Sequence, residues 1–176
     1  MAVYETLNSL AAQTREVRAI SSIFKARVKN PDRLEDPTVL VDGDIVVIGS
    51  IPDKSIITDI RCILHNQFAG GATLDLGLIE RNELGEFVSF ASIVDGILLT
   101  SPIGSTIVVP IPTDGNINPD GTAYVGINGS IRIEKNSVDL AARINLTSPL
   151  GAIEDGRIRV ITSYVDVESK TGEYTR

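Results

Sequence analysis

Residues 39–80 read VLVDGDIVVIGSIPDKSIITDIRCILHNQFAGGATLDLGLIE. Three runs in this stretch, IVVIGSI, SIITDIRCILH and ATLDLGLIE, are rich in β-branched residues and leucine. The breaks between them, PDK and NQFAGG, are made of Pro, Asp, Asn and Gly. Strands separated by turns have this composition, because branched side chains fit a pleated surface and Gly, Pro and Asn meet the backbone demands of reversals. In SIITDIRCIL, period-two alternation puts Ile56, Thr58, Ile60, Cys62 and Leu64 on one face. Ile57, Asp59, Arg61 and Ile63 fall on a half-wet opposite face. In ATLDLGLIE, Leu74, Leu76 and Leu78 share a face, and Gly77 in mid-strand predicts close approach by a neighbour. Ile45 to Ile48 is an unbroken apolar run, which predicts burial on both faces. Gly43 predicts a turn or bulge just before it.

Working outward, the pattern continues. Val17 to Val28 admits two readings: Val17, Ile20 and Phe24 suit a helix, while Phe24, Ala26 and Val28 alternate with Lys25 and Arg27 as in a strand. The strand, from Ile23 to Lys29, is the favoured reading. Leu7, Leu10 and Ala11 sit at helical spacing within an N-terminal arm. On the C-terminal side, FVSFASIV reads as a strand or short helix. TIVVPIP reads as an edge strand because of Pro110. TAYVGI and SIRIE follow, turning at Gly129, and then VDLAARINL. RIRVITSYVDVE is the clearest strand, with Ile158, Val160, Thr162, Tyr164 and Asp166 on one face. Eight to ten strands with no helices to separate parallel ones predict an all-β, antiparallel two-sheet sandwich of jelly-roll type with an N-terminal arm. The expected organisation is an arm and first strand over 1–37, a sandwich body over 38–168 and a polar tail over 169–176.

Composition bounds the function. At 176 residues and 43% hydrophobic content the chain can bury one core, and with 5% aromatics and no Trp that core is aliphatic. A net charge of −7 repels phosphate backbones, so no direct nucleic-acid partner is expected. No run approaches the roughly 20 apolar residues that span a bilayer, and no membrane partner is expected. No apolar leader precedes the first strand, and the single cysteine, Cys62, cannot form an intrachain disulfide, so the expectation is a chain made and folded in a reducing cytosol. Against the acidic total, Arg15, Arg18, Lys25, Arg27 and Lys29 face only one acid, Glu16, between residues 15 and 29. They are either one solvated segment or a docking arm for an acidic protein neighbour.

The residues offer no catalytic constellation. The single histidine, His65, stands at a strand end, and nothing in the sequence supplies it with a nucleophile and an orienting acid. One His and one Cys do not make a zinc set. The loop from Asp114 to Asp120 opens like a calcium loop but has Pro119 where the EF-hand pattern needs Gly and Val125 where it needs Glu, so a turn cluster explains it better. No phosphate-binding glycine loop occurs. No enzyme activity, cofactor or metal is expected.

Gly43-Asp44, the Ile51-Pro52 turn, the I-x-D-x-R run within Ile57 to Arg61, and the T-L-D-L-G of Thr73 to Gly77 form a pattern that resembles the capsid decoration (cement) proteins of tailed bacteriophages. The Gly-led closing strand from Gly156 to Val167 extends the resemblance, which covers roughly Phe24 to Val167. The arm through Ser22 and the loop from Pro112 to Asp120 fall outside it. The resemblance implies a non-enzymatic virion structural protein on the outer surface of the head. It would be a homotrimer that binds the major capsid protein, with the basic arm supplying capsid contacts and the sandwich faces the trimer. The rival readings are a head-fibre, tail or carbohydrate-binding sandwich, and an enzyme on a cupin-like barrel. Few aromatic residues weigh against the first, and a single histidine against the second.

Overall fold

The β-branched runs form twelve strands: β1 (Val17–Lys25), β2 (Arg27–Val28), β3 (Thr38–Val39), β4 (Ile45–Ile51), β5 (Ser55–Asn66), β6 (Thr73–Arg81), β7 (Phe87–Leu98), β8 (Thr106–Val108), β9 (Ala123–Gly126), β10 (Ser130–Ile133), β11 (Val138–Asn145) and β12 (Arg157–Asp166). The computed structural model describes residues 17–28, 38–68, 71–81, 84–112, 117, 123–126, 129–134, 136–151 and 155–166. Among these there is no helix. One sheet runs β1-β12-β5-β10-β9, with β8 also on β5, and the other runs β4-β11-β6-β7. A short β2-β3 ladder stands apart.

The pairing has a simple logic. β1 pairs β12, β4 pairs β11, β5 pairs β10 and β6 pairs β7, all antiparallel. These are the nested rungs of one long folded ribbon. The ribbon is rolled up, so that β12 also pairs β5 and β11 also pairs β6. Rolling gives the two layers of a jelly roll, and the expected all-β antiparallel sandwich is what forms. The layers close on an aliphatic core in which Ile60, Leu64, Leu76, Leu140 and Val160 are fully buried. On the β1–β4 flank, the Ser22 hydroxyl donates to the Ile48 carbonyl at 2.5 Å.

Several local expectations are refined. Val17 to Lys25 forms neither the helix nor a strand confined to Ile23–Lys29. It is one nine-residue strand paired along its whole length with β12. Ile20, Ser22 and Phe24 alternate toward the core as a strand requires, Val17 of the helical reading falls on the exposed face, and β12 is the ready partner that decides between the two. The strand breaks at Ala26, which is fully buried. There the N–H bonds the Gly156 carbonyl and the carbonyl accepts from Leu40, both at 2.9 Å, handing the chain from β12 to β3. Lys29 and the first sixteen residues, including the helical spacing at Leu7 to Ala11, lie outside the described residues, as do residues 114–116 and 118–120 of the calcium-like loop.

The run Ile45 to Ile48 is not buried on both faces. β4 is the outer strand of its sheet, and Val47 is 47% exposed. In β5 the face assignment holds only from Ile60 onward. Opposite β12, Ser163 pairs Asp59 and Tyr164 pairs Ile57, so Thr58 is an extra residue. This bulge swaps faces: Ile57 and Ser55 enter the core, while Thr58 is exposed and Ile56 only half-buried. The Thr58 hydroxyl then donates to the Ser163 carbonyl at 3.3 Å.

Other expectations stand. Gly43 turns at φ 82° before β4, and Gly129 turns at φ 66° between β9 and β10. FVSFASIV forms the first part of β7 as a strand. β8 ends two residues before Pro110. Cys62 is fully buried among aliphatic side chains, and burial pushes its thiol up to about 12. Since the thiolate is the reactive form, a thiol reagent at pH 8 is expected to label the native chain at least a hundredfold more slowly than the chain in denaturant. Equal rates in a stopped-flow assay would contradict the buried placement.

Candidate interaction surface

Two places concentrate polar side chains. The first lies on the outward face of the four-stranded sheet. Asp75, on β6, is 3% exposed. Arg143, its cross-strand partner on β11, bonds its Oδ2 through Nη2 at 2.7 Å and Nε at 3.1 Å. The Gly96 N–H donates to Oδ1 at 2.9 Å. The guanidinium also lies over the Phe90 ring, 4.9 Å from its centroid, a favourable cation–π position. Phe90 in turn lies across Gly77, the close approach expected from the glycine.

This cluster stabilises rather than reacts. Burial alone would raise the Asp75 carboxyl, but hydrogen bonds from Asn145, Arg143 and the Gly96 N–H, with the Arg143 charge, hold it below its ordinary 3.8. A depressed folded value means the unfolded chain takes up the proton first as pH falls. The stabilisation is therefore complete above the unfolded value and is lost as pH drops below about 4 through the folded one. Asp75→Asn is expected to flatten that acid limb in urea titrations run between pH 2 and 6, and an unchanged limb would show that Asp75 is not the group responsible.

The second place is the outward face of the six-stranded sheet. Of the sequence-derived contact candidates, Arg15 and Lys29 lie outside the described residues. Arg18 and Lys25 are exposed on β1, separated by about 23 Å of extended chain. Arg27 is half-buried on β2, its Nε without a hydrogen-bond partner among the described residues. The described candidates therefore do not form one cluster. The fold instead gives Lys25 two basic neighbours from the far end of the chain. Arg157 is its cross-strand partner on β12, and Arg159 is two residues further along β12. Arg157 and Arg159 alternate with Ile158 and Val160 along β12, and only the pairing of β1 with β12 joins them to Lys25.

Other sites are bland. His65 is exposed at the end of β5. Among the described residues no cluster of three His, Cys, Asp or Glu side chains could hold a metal ion. A cleft of about 390 Å³ lies between Val39–Asp42 and Leu146–Leu150, and no aromatic ring lines it among the described residues.

No protein-family model and no curated protein matches this sequence. Solved structures are similar to it. A chain in the capsid of Ralstonia phage GP4 superposes with a TM-score of 0.51 at 13% identity, over 88% of this chain and 86% of that one. A chain of the cyanophage Pam1 capsid gives 0.47 at 11%, over 86% and 85%. The infectious bursal disease virus VP2 subviral particle gives 0.46 at 14%, over 90% of this chain but 34% of the other. At such identities the likeness to the GP4 chain is one of fold: a jelly-roll sandwich of this size occurs in a phage capsid.

Proposed function

We propose that this protein is a non-enzymatic virion structural protein. It decorates the outer surface of a phage head as a homotrimer and stabilises the major capsid protein lattice. The observation that carries the reading is the full-length sharing of the fold with a chain of the Ralstonia phage GP4 capsid, 88% against 86% of the two lengths. The sequence pattern from Gly43 to Gly77 points the same way. A ligand that binds only the expanded shell stabilises it by mass action, and three linked attachments multiply weak contacts through effective concentration. A closed aliphatic core suits a permanent part. Arg15, Arg18, Lys25, Arg27 and Lys29 are the proposed capsid contacts.

The test is light scattering of the purified chain with and without expanded heads of the phage that encodes it. The expected result is a mass near three times 18.9 kDa and sedimentation with heads. A monomer that ignores heads would overturn the reading and move the assignment to a head-fibre or tail part. A carbohydrate-binding role gains nothing from the cleft at Val39–Asp42, where no described residue offers a ring to stack on a sugar.

A further inference from the structure

The outward face of the six-stranded sheet has a composition that a solvated face does not need. The register lays its side chains out in rows. Val17, Val165 and Ile56 form one row across β1, β12 and β5. Ser21, Ile161, Arg61 and Val108 form a second that reaches β8, and Ile23, Arg159, Ile63 and Thr106 a third. Val17 is 72% exposed, Val108 61% and Ile23 46%, and the isoleucines of β5 and β12 in these rows are only half-buried. A row of Ala19, Ser163 and Asp59 separates the first from the other two, while the second and third bring Ile23, Ile161, Ile63 and Val108 near one another across four strands, an exposed apolar grouping of the kind that marks an interaction site.

Its charge is equally specific. Arg61 bridges Asp59 at 2.6 Å, Arg157 bridges Asp155 at 2.6 Å and Arg132 bridges Glu134 at 2.8 Å. Lys25 and Arg159 add positive charge beyond those pairs, on a chain whose net charge is −7. Lys25 stands directly opposite Arg157, an arrangement that costs stability in a sheet. Arg159 is half-buried beside Ile23, its cross-strand neighbour on β1.

We propose that this face, centred on Ile23, Ile161 and Arg159, is the surface that seats on the shell, and that its partner is an acidic protein surface with an apolar centre. The inference rests on the decoration reading and names the face that performs it. Charge complementarity selects the partner. A positive face repels a second copy of itself across a two-fold axis. A nucleic acid would want stacking rings, and the three rows hold only aliphatic, arginine and small polar side chains.

The experiment uses the full chain and expanded heads, with binding read by co-sedimentation and mass by light scattering. Ile23→Glu and Lys25→Glu, both at exposed positions, are each expected to weaken head binding at least tenfold. Their melting temperatures and solution mass should match those of the parent. Val47→Glu, exposed on the other sheet, should bind within twofold of the parent. Face variants that bind like the parent, or a Val47→Glu variant that alone loses binding, would overturn the assignment while leaving decoration intact. A fall in solution mass with head binding retained would assign the face to contacts between copies, and would also overturn it. A parent chain that ignores heads would overturn the decoration reading, and this inference with it.

Discussion

Phe68→Ala is expected to lower the unfolding free energy by about 4 kcal/mol, the usual cost of emptying a buried phenylalanine site. Phe68 is 2% exposed and belongs to the main core. Its ring lies 6.1 Å from that of Phe24, tilted by 32°. It also sits flat against the backbone at Gly156, where a methyl group would come within 2.5 Å of the ring. Its own N–H bonds the Leu99 carbonyl at 3.1 Å, so the loop after β5 is held on both sides. Gly156→Ala is therefore expected to cost about 2 kcal/mol by overpacking. The two changes should not add. With the ring gone the new methyl group occupies vacated space, and the double variant should be more stable than the sum of the single losses by about 1 kcal/mol or more. Chemical denaturation of the four proteins checks this. Strict additivity would mean that the ring does not lie on Gly156.

Gly77→Ala is expected to cost about 3 kcal/mol, and here truncating the neighbour should not rescue it. A methyl group on Gly77 would come within 2.7 Å of Phe90 Cζ, but it would also meet the Ala91 carbonyl oxygen and, at 3.0 Å, its carbon. A side chain can rotate away, whereas a backbone carbonyl in a paired strand cannot move without disturbing the ladder. The register of β6 against β7 already shifts between Leu76 and Gly77 to accommodate this approach. Phe90→Ala in the Gly77→Ala background should therefore recover less than half of the loss. It should also remove the ring under Arg143 and so loosen the Asp75 pair. Full recovery would mean that Phe90, and not the carbonyl, sets the limit. The contrast between the two glycines is a test of the packing, since one meets only a side-chain ring and the other a backbone carbonyl as well.

What could be read without the fold was whatever depends on a residue and its chain neighbours. Period two in β6 and β12, the turns at Gly43 and Gly129, the small-residue need at Gly77 and the core placement of Cys62 are local properties. A pleated strand must alternate, and a reversal at positive φ favours glycine. These were enough to specify an all-β antiparallel sandwich. The readings that needed revision all depended on a partner strand. Val17 to Lys25 becomes strand because β12 lies beside it. Ile45 to Ile48 stays partly wet because, among the described residues, no strand pairs beyond β4. Ile57 replaces Ile56 and Thr58 in the core because β12 is one residue shorter than β5 across the bulge.

The surface divides in the same way. Alternation along the chain sets Lys25 opposite Phe24 and Ala26, and Arg157 and Arg159 opposite Ile158 and Val160. That they lie side by side, with Ile23, Ile63 and Ile161 between and around them, follows only from β1 pairing β12 and β12 pairing β5. Those contacts span about 90 to 150 residues of chain. Local patterns set which way a side chain points. Long-range pairing decides what it points beside, because the free energy that selects one register comes from burying the whole inner face at once.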